Sequence, residues 1–91
     1  MTATVRDNPA LSRFELDAGG VISFARYRLA GDRITIDHTE TPEAARGRGL
    51  ASVLIKGVLD EARARGLKVV PRCPFVSIYI RRHPEYKDLL A

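Results

Sequence analysis

Arg46-Gly47-Arg48-Gly49-Leu50-Ala51 decides how this chain is read, because it joins an extended segment ending near Glu40 to an amphipathic helix opening near Gly49. Glycines let a backbone turn tightly and approach a ligand closely, and the first N–H groups of a helix have no partner within it. Strand, glycine-bearing turn and helix in that order make an anion site, and a pyrophosphate would satisfy its amides.

Toward the N-terminus the pattern is that of antiparallel strands. Arg13-Phe14-Glu15-Leu16-Asp17 alternates polar and apolar, Gly19-Gly20 supplies turn positions, and Val21 to Leu29 forms the return strand. Ala30-Gly31-Asp32 is a second tight turn. Arg33 to Glu40 alternates again, and strict alternation puts Ile34, Ile36, His38 and Glu40 on one face.

Beyond the turn the period changes. Ala51, Leu54, Ile55, Val58, Leu59 and Ala62 make one stripe of a helix over Leu50 to Arg65, with Ser52, Lys56, Asp60 and Arg63 opposite. Gly66 suits the helix end. Lys68-Val69-Val70 reads as a short buried strand, and a strand reached after a helix is expected to lie parallel to its neighbour. The strand ending at Glu40, the helix and this strand therefore form one βαβ unit. Pro74 suits the first turn of a last helix, on which Phe75, Val76, Tyr79 and Ile80 have helical spacing, and Pro84 ends it. His83 to Tyr86 are read as helix terminator and tail packing, with no chemistry.

Ninety-one residues allow one domain, 1–91, in which any ligand site must share the elements of the core. A hydrophobic fraction of 45% and a charged fraction of 29% belong to a folded globular chain. The start Met-Thr-Ala-Thr-Val-Arg lacks a hydrophobic signal region and no apolar run is long enough to span a bilayer, so the expected location is cytoplasmic, with no membrane partner. Cys73 is the only cysteine, which rules out an intrachain disulfide; the usual zinc-ligand spacings are absent, and no metal is expected.

The net charge of +4 is unevenly spread: residues 1–45 carry five Arg against seven acids, and residues 46–91 carry ten Lys/Arg against four. The basic half begins at the glycine turn. Local anion binding there outweighs a nucleic-acid footprint, since the cations form no run and are not interleaved with exposed aromatics.

A turn of the form Arg/Gln-x-x-Gly-x-Gly/Ala opening a helix, matched here by Arg46, Gly49 and Ala51, followed by a strand and a helix with a tyrosine, resembles the GNAT superfamily of acetyl-CoA-dependent N-acetyltransferases. Val69-Val70-Pro71-Arg72-Cys73-Pro74-Phe75-Val76 and Arg81-Arg82-His83-Pro84-Glu85-Tyr86 bring it closer to the very short GNAT-like proteins, from about Phe14 to Leu90. The resemblance implies an α+β (α/β) fold, a minimal GNAT fold in which an antiparallel meander leads into a βαβ unit with splayed parallel strands and a C-terminal helix.

It also implies a division of labour. Backbone amides of Arg46, Gly47, Arg48, Gly49, Leu50 and Ala51 would hold the coenzyme A pyrophosphate, with the Arg46 and Arg48 side chains adding charge-assisted contacts. The pantetheine arm would lie between Ile34–Glu40 and Lys68–Arg72, bringing the thioester near His38, Glu40 and Cys73. Arg81 and Arg82 are candidates for the 3′-phosphate. Acetyl transfer needs a neutral amine, a polarised carbonyl and an acid for the thiolate. His38 or Glu40 could take the ammonium proton, Tyr79 matches the position of a tyrosine acid, and Cys73, at a helix start beside Arg72, could carry the acetyl group with His38 as its base.

Most superfamily members have a further N-terminal strand-and-helix segment walling the acceptor site, for which this sequence has no pattern. The amine acceptor, a small molecule, lysine or N-terminus, stays open, and a second subunit in a homodimer could supply the wall. Two other functions remain: a non-catalytic coenzyme-A-binding sensor or interaction module, and a small nucleic-acid-binding domain.

Overall fold

The computed structural model describes residues 4–43 and 49–91. Its elements run β1 (Val5–Asn8), a short 3-10 helix (Pro9–Leu11), β2 (Arg13–Ala18), β3 (Val21–Ala30), β4 (Arg33–Glu40), α1 (Leu50–Ala64), β5 (Lys68–Pro71), α2 (Pro74–Arg82) and a C-terminal 3-10 helix (Pro84–Leu89). The five strands form one sheet in chain order. The first three pairings are antiparallel and β4/β5 is parallel, so the meander leads into the βαβ unit that the sequence pattern implies.

One face of the sheet carries the core. Phe14, Leu16, Ala25, Tyr27, Ile34, Ile36 and Val69 are buried against Leu54, Ile55, Val58, Leu59 and Ala62 of α1, the stripe expected from the helical period. Burying an aliphatic side chain contributes about 1.5–3 kcal/mol, so this layer dominates the folding energy. On α2, Val76, Tyr79 and Ile80 turn inward as their spacing requires, whereas Phe75, grouped with them by sequence, is exposed.

β1 is an element the sequence pattern did not reveal. Three of its four residues are polar, and what holds it is long-range: Asp7 accepts the Tyr27 hydroxyl at 2.6 Å and Arg65 Nη2 at 2.9 Å, tying the edge strand to β3 and to the end of α1. Burial, and then the Asp7 contact, push the Tyr27 phenol up to about 12. Gly57 sits inside α1 for the same reason. A Cβ there would stand 2.5 Å from Val5 Cγ2, so only glycine lets β1 come this close.

The chain end secures the other side. Ala91 N donates to Val69 O at 3.0 Å, Arg63 grips Asp88 at 2.7 and 3.0 Å, and the buried Tyr86 donates its hydroxyl to Asp60 at 2.7 Å. His83 to Tyr86 thus end α2 and pack the tail, continuing into a 3-10 helix.

The ladder of β3 and β4 contains a bulge. Tyr27 pairs with Ile36 and Arg26 pairs with His38, which leaves Asp37 as an extra residue on β4. An inserted residue resets the alternation of a strand. Beyond it Thr39 pairs with buried Ala25, while His38 and Glu40 pair with Arg26 and Phe24. The single face expected for Ile34, Ile36, His38 and Glu40 is therefore corrected: Ile34 and Ile36 face the core, and His38 and Glu40 face the opposite, open side of the sheet.

Candidate functional site

In parallel α/β arrangements, ligands bind at the carboxyl ends of the strands, where the following helices begin. Here α1 follows β4 and α2 follows β5, so both helices start at that edge. Pairing with β5 covers Arg33 to Ile36 of β4, which continues for four residues to Glu40. Cys73 N closes the paired part by donating to Ile36 O at 2.9 Å. β5 ends at Pro71 and the chain passes into α2, so β4 runs on beyond its pairing with β5.

Beyond that pairing Thr39 Oγ1 lies 3.4 Å from Cys73 Sγ. Cys73 is buried and caps α2 with its backbone, its carbonyl accepting from Val76 N at 3.1 Å and Ser77 N at 3.2 Å. Buried Ser23 donates to Glu40 O at 3.1 Å and meets Thr41 Oγ1 at 2.8 Å, which fixes the far end of β4. Thr39 was not singled out by sequence reasoning. The only signal for it is the bulge, and Asp37 looks like any strand residue until the register is known.

His38 and Glu40 stand on the other side of the same strand segment. The His38 ring centroid is 6.2 Å from that of Phe24, itself covered by the Arg13 guanidinium at 4.5 Å. The structure thus brings Cys73 to Thr39 on one face of β4 and sets His38 with Glu40 on the other. Tyr79 is a separate group. It stacks on His83 with centroids 4.0 Å apart, lies 6.2 Å from Tyr86, and burial raises its phenol pKa, so it stays protonated at neutral pH.

Gly49 opens α1 in the left-handed conformation, φ 70°, and a Cβ built on it would meet nothing within 4 Å. The first bond of the helix ladder is Val53 N to Gly49 O at 3.3 Å, so the amides of Leu50, Ala51 and Ser52 precede the ladder at the positive end of the dipole. Gly49, Leu50 and Ala51 therefore stand at the start of α1, ahead of its hydrogen-bond ladder. Arg46, Gly47 and Arg48 lie outside the described residues. Arg81 and Arg82 are exposed in the last turn of α2. Among the described residues there is no group of three or more His, Cys, Asp or Glu placed to hold a metal ion, and no helix is long and apolar enough to cross a membrane.

A family model described as GCN5-related N-acetyl-transferase matches residues 13–89. The chain belongs to that family. Protein NATD1 of Gallus gallus, Mus musculus and Homo sapiens is in each case 39% identical over 59 residues, which is 64% of this chain and 54%, 54% and 52% of the respective relatives. The chain spans about half the length of the curated relatives it matches. A GCN5-like protein of Staphylococcus aureus, solved by NMR, is similar over 96% of this chain and 86% of its own with a TM-score of 0.72; at 24% identity this is a likeness of fold.

Proposed function

We propose that this chain transfers an acetyl group from acetyl-CoA to an amine, directly and without a covalent enzyme intermediate. The observation that carries the reading is the free run of β4 past its pairing with β5, with Thr39 and Cys73 on one face, His38 and Glu40 on the other, and a helix start at each side. The residues present suit the donor. An extended pantetheine arm can add to β4 as a strand would. The amides of Leu50, Ala51 and Ser52, together with Arg46, Gly47 and Arg48 from outside the described residues, suit a pyrophosphate.

Acetyl-CoA supplies the activated acyl carbon, and the protein's groups act on the amine. An amine arriving over the open face meets Glu40 or His38, either of which takes the ammonium proton directly or through water. As the nitrogen–carbon bond forms and the carbon–sulfur bond breaks, the departing thiolate takes up a proton from water, since the ring contacts of Tyr79, the acid expected for this step, are with His83 and Tyr86. Thr39 and Cys73 form the floor beneath the thioester. The covalent route needs a base beside Cys73, and His38, the base expected for it, stands on the opposite face of β4.

The reading makes a paired prediction. His38→Ala combined with Glu40→Gln lowers kcat about a hundredfold, the usual worth of general base catalysis, while acetyl-CoA still binds. Incubation with acetyl-CoA alone leaves the intact mass of the protein unchanged. A Cys73-dependent gain of one acetyl group would replace the direct route by the covalent one. Tight coenzyme A binding with no turnover of a broad amine panel would make the chain a coenzyme-A-binding module instead.

A further inference from the structure

The open face of the sheet holds a groove of about 620 Å³ beside the bulge, lined by Pro9, Ser12, Arg26, Arg28, Leu29 and Asp37 among others. Its size is that of a small-molecule site. Its charges are unbalanced. Asp37 faces two guanidinium groups, Arg26 Nε at 3.5 Å and Arg28 Nε at 3.4 Å, both long contacts made by side chains that are 58% and 71% exposed. Exposed pairs of this kind hold weakly, and one carboxylate between two arginines leaves a single positive charge in surplus. The two guanidinium groups can give their terminal N–H donors to a planar anion of charge −1.

The groove is also in register with the proposed base. Arg26 is the direct cross-strand partner of His38, and Arg28 lies two residues further along the same face of β3, roughly 7 Å away at the rise of a strand. We propose that the acceptor is an amino carboxylate, with the carboxylate seated on Arg26 and Arg28 and the amine presented to His38 and Glu40. The amine end rests on the acetyl-transfer reading; the carboxylate end rests on the groove alone. Asp37, the residue the bulge inserts, holds the two arginines only loosely, which leaves them free to take an incoming carboxylate.

The test uses 6-aminohexanoate and hexylamine, which share chain length and differ in the carboxylate. Titrated into the labelled protein, 6-aminohexanoate shifts the backbone amide resonances of Arg28 and Leu29, hexylamine does not, and Arg28→Gln abolishes the response. With acetyl-CoA present, kcat/KM for 6-aminohexanoate exceeds that for hexylamine about tenfold or more, as a charge-assisted contact requires. The ratio falls below about threefold in Arg28→Gln and recovers in part in Arg28→Lys. Equal shifts from both compounds, or none from saturating 6-aminohexanoate, overturn the proposal. If the shifts appear and neither compound is acetylated, the anion site stands and the transfer reading fails. If both are acetylated at the same rate, transfer stands and the amino carboxylate is lost.

Discussion

Replacing Gly49 by valine is expected to raise the KM for acetyl-CoA about a hundredfold, because it removes charge-assisted amide contacts together worth about 3 kcal/mol. Gly49 has φ 70° at the start of α1, a conformation that a β-branched residue reaches only with strain. Space is not the obstacle, since a Cβ there meets nothing within 4 Å. The substitution therefore turns the backbone out of the conformation that aims Leu50, Ala51 and Ser52, and places a side chain where the pyrophosphate would approach. Gly31 gives the control. It has φ 62° and equally open surroundings, but lies in the β3–β4 turn, at the far end of β4 from Glu40. Gly31→Val should lower Tm by a similar amount and leave the KM for acetyl-CoA within about twofold. Equal KM values in the two variants would show that the glycine turn does not hold the donor.

Phe14→Ala should cost about 3–5 kcal/mol, a large share of the roughly 5–15 kcal/mol that keeps a domain folded. Phe14 is 2% exposed, its ring lies 5.1 Å from that of Tyr27, and the Arg65 guanidinium sits 5.7 Å above it. It is also the cross-strand partner of Asp7, so its loss leaves a cavity directly under the ion pair that fastens β1. Urea denaturation reads the effect as a fall in midpoint. Leu11, 55% exposed, is the comparison, and Leu11→Ala should stay within about 0.5 kcal/mol. A loss of less than about 1 kcal/mol for Phe14→Ala would mean that the layer between sheet and α1 is not the main source of stability.

Periodicity was enough for the parts of the fold that are locally encoded. The α1 stripe, the two-glycine turn after Ala18, the end of α1 at Gly66 and the stop at Pro84 each depend on residues adjacent in sequence. β1 depends on Asp7 meeting Tyr27 and Arg65, and no neighbouring residue announces that. The same limit explains the error on β4. Alternation counted forward from Ile36 puts His38 inside, and only the pairing of Arg26 with His38 and Tyr27 with Ile36 shows that Asp37 is an extra residue. That single insertion separates His38 and Glu40 from Cys73 and puts Thr39 beside the thiol instead. Tyr79 was legible as an inward residue of α2 but not as a ring stacked on His83, since that contact depends on where α2 ends.

The bulge also shapes the chemistry the site can support. A thioester lying along β4 would have a face toward Thr39 and Cys73, buried and without a described base, and a face toward His38 and Glu40, open to an incoming amine. Direct transfer uses both faces as they stand. The covalent alternative needs a base on the buried side.

The most direct test of this account is a crystal structure of the protein with coenzyme A. The account predicts the pyrophosphate against the amides of Leu50, Ala51 and Ser52, the pantetheine arm along β4 between Asp37 and Glu40, and the sulfur beside Thr39 and Cys73. Coenzyme A bound away from Gly49, or an arm lying away from the free run of β4 past its pairing with β5, would contradict it.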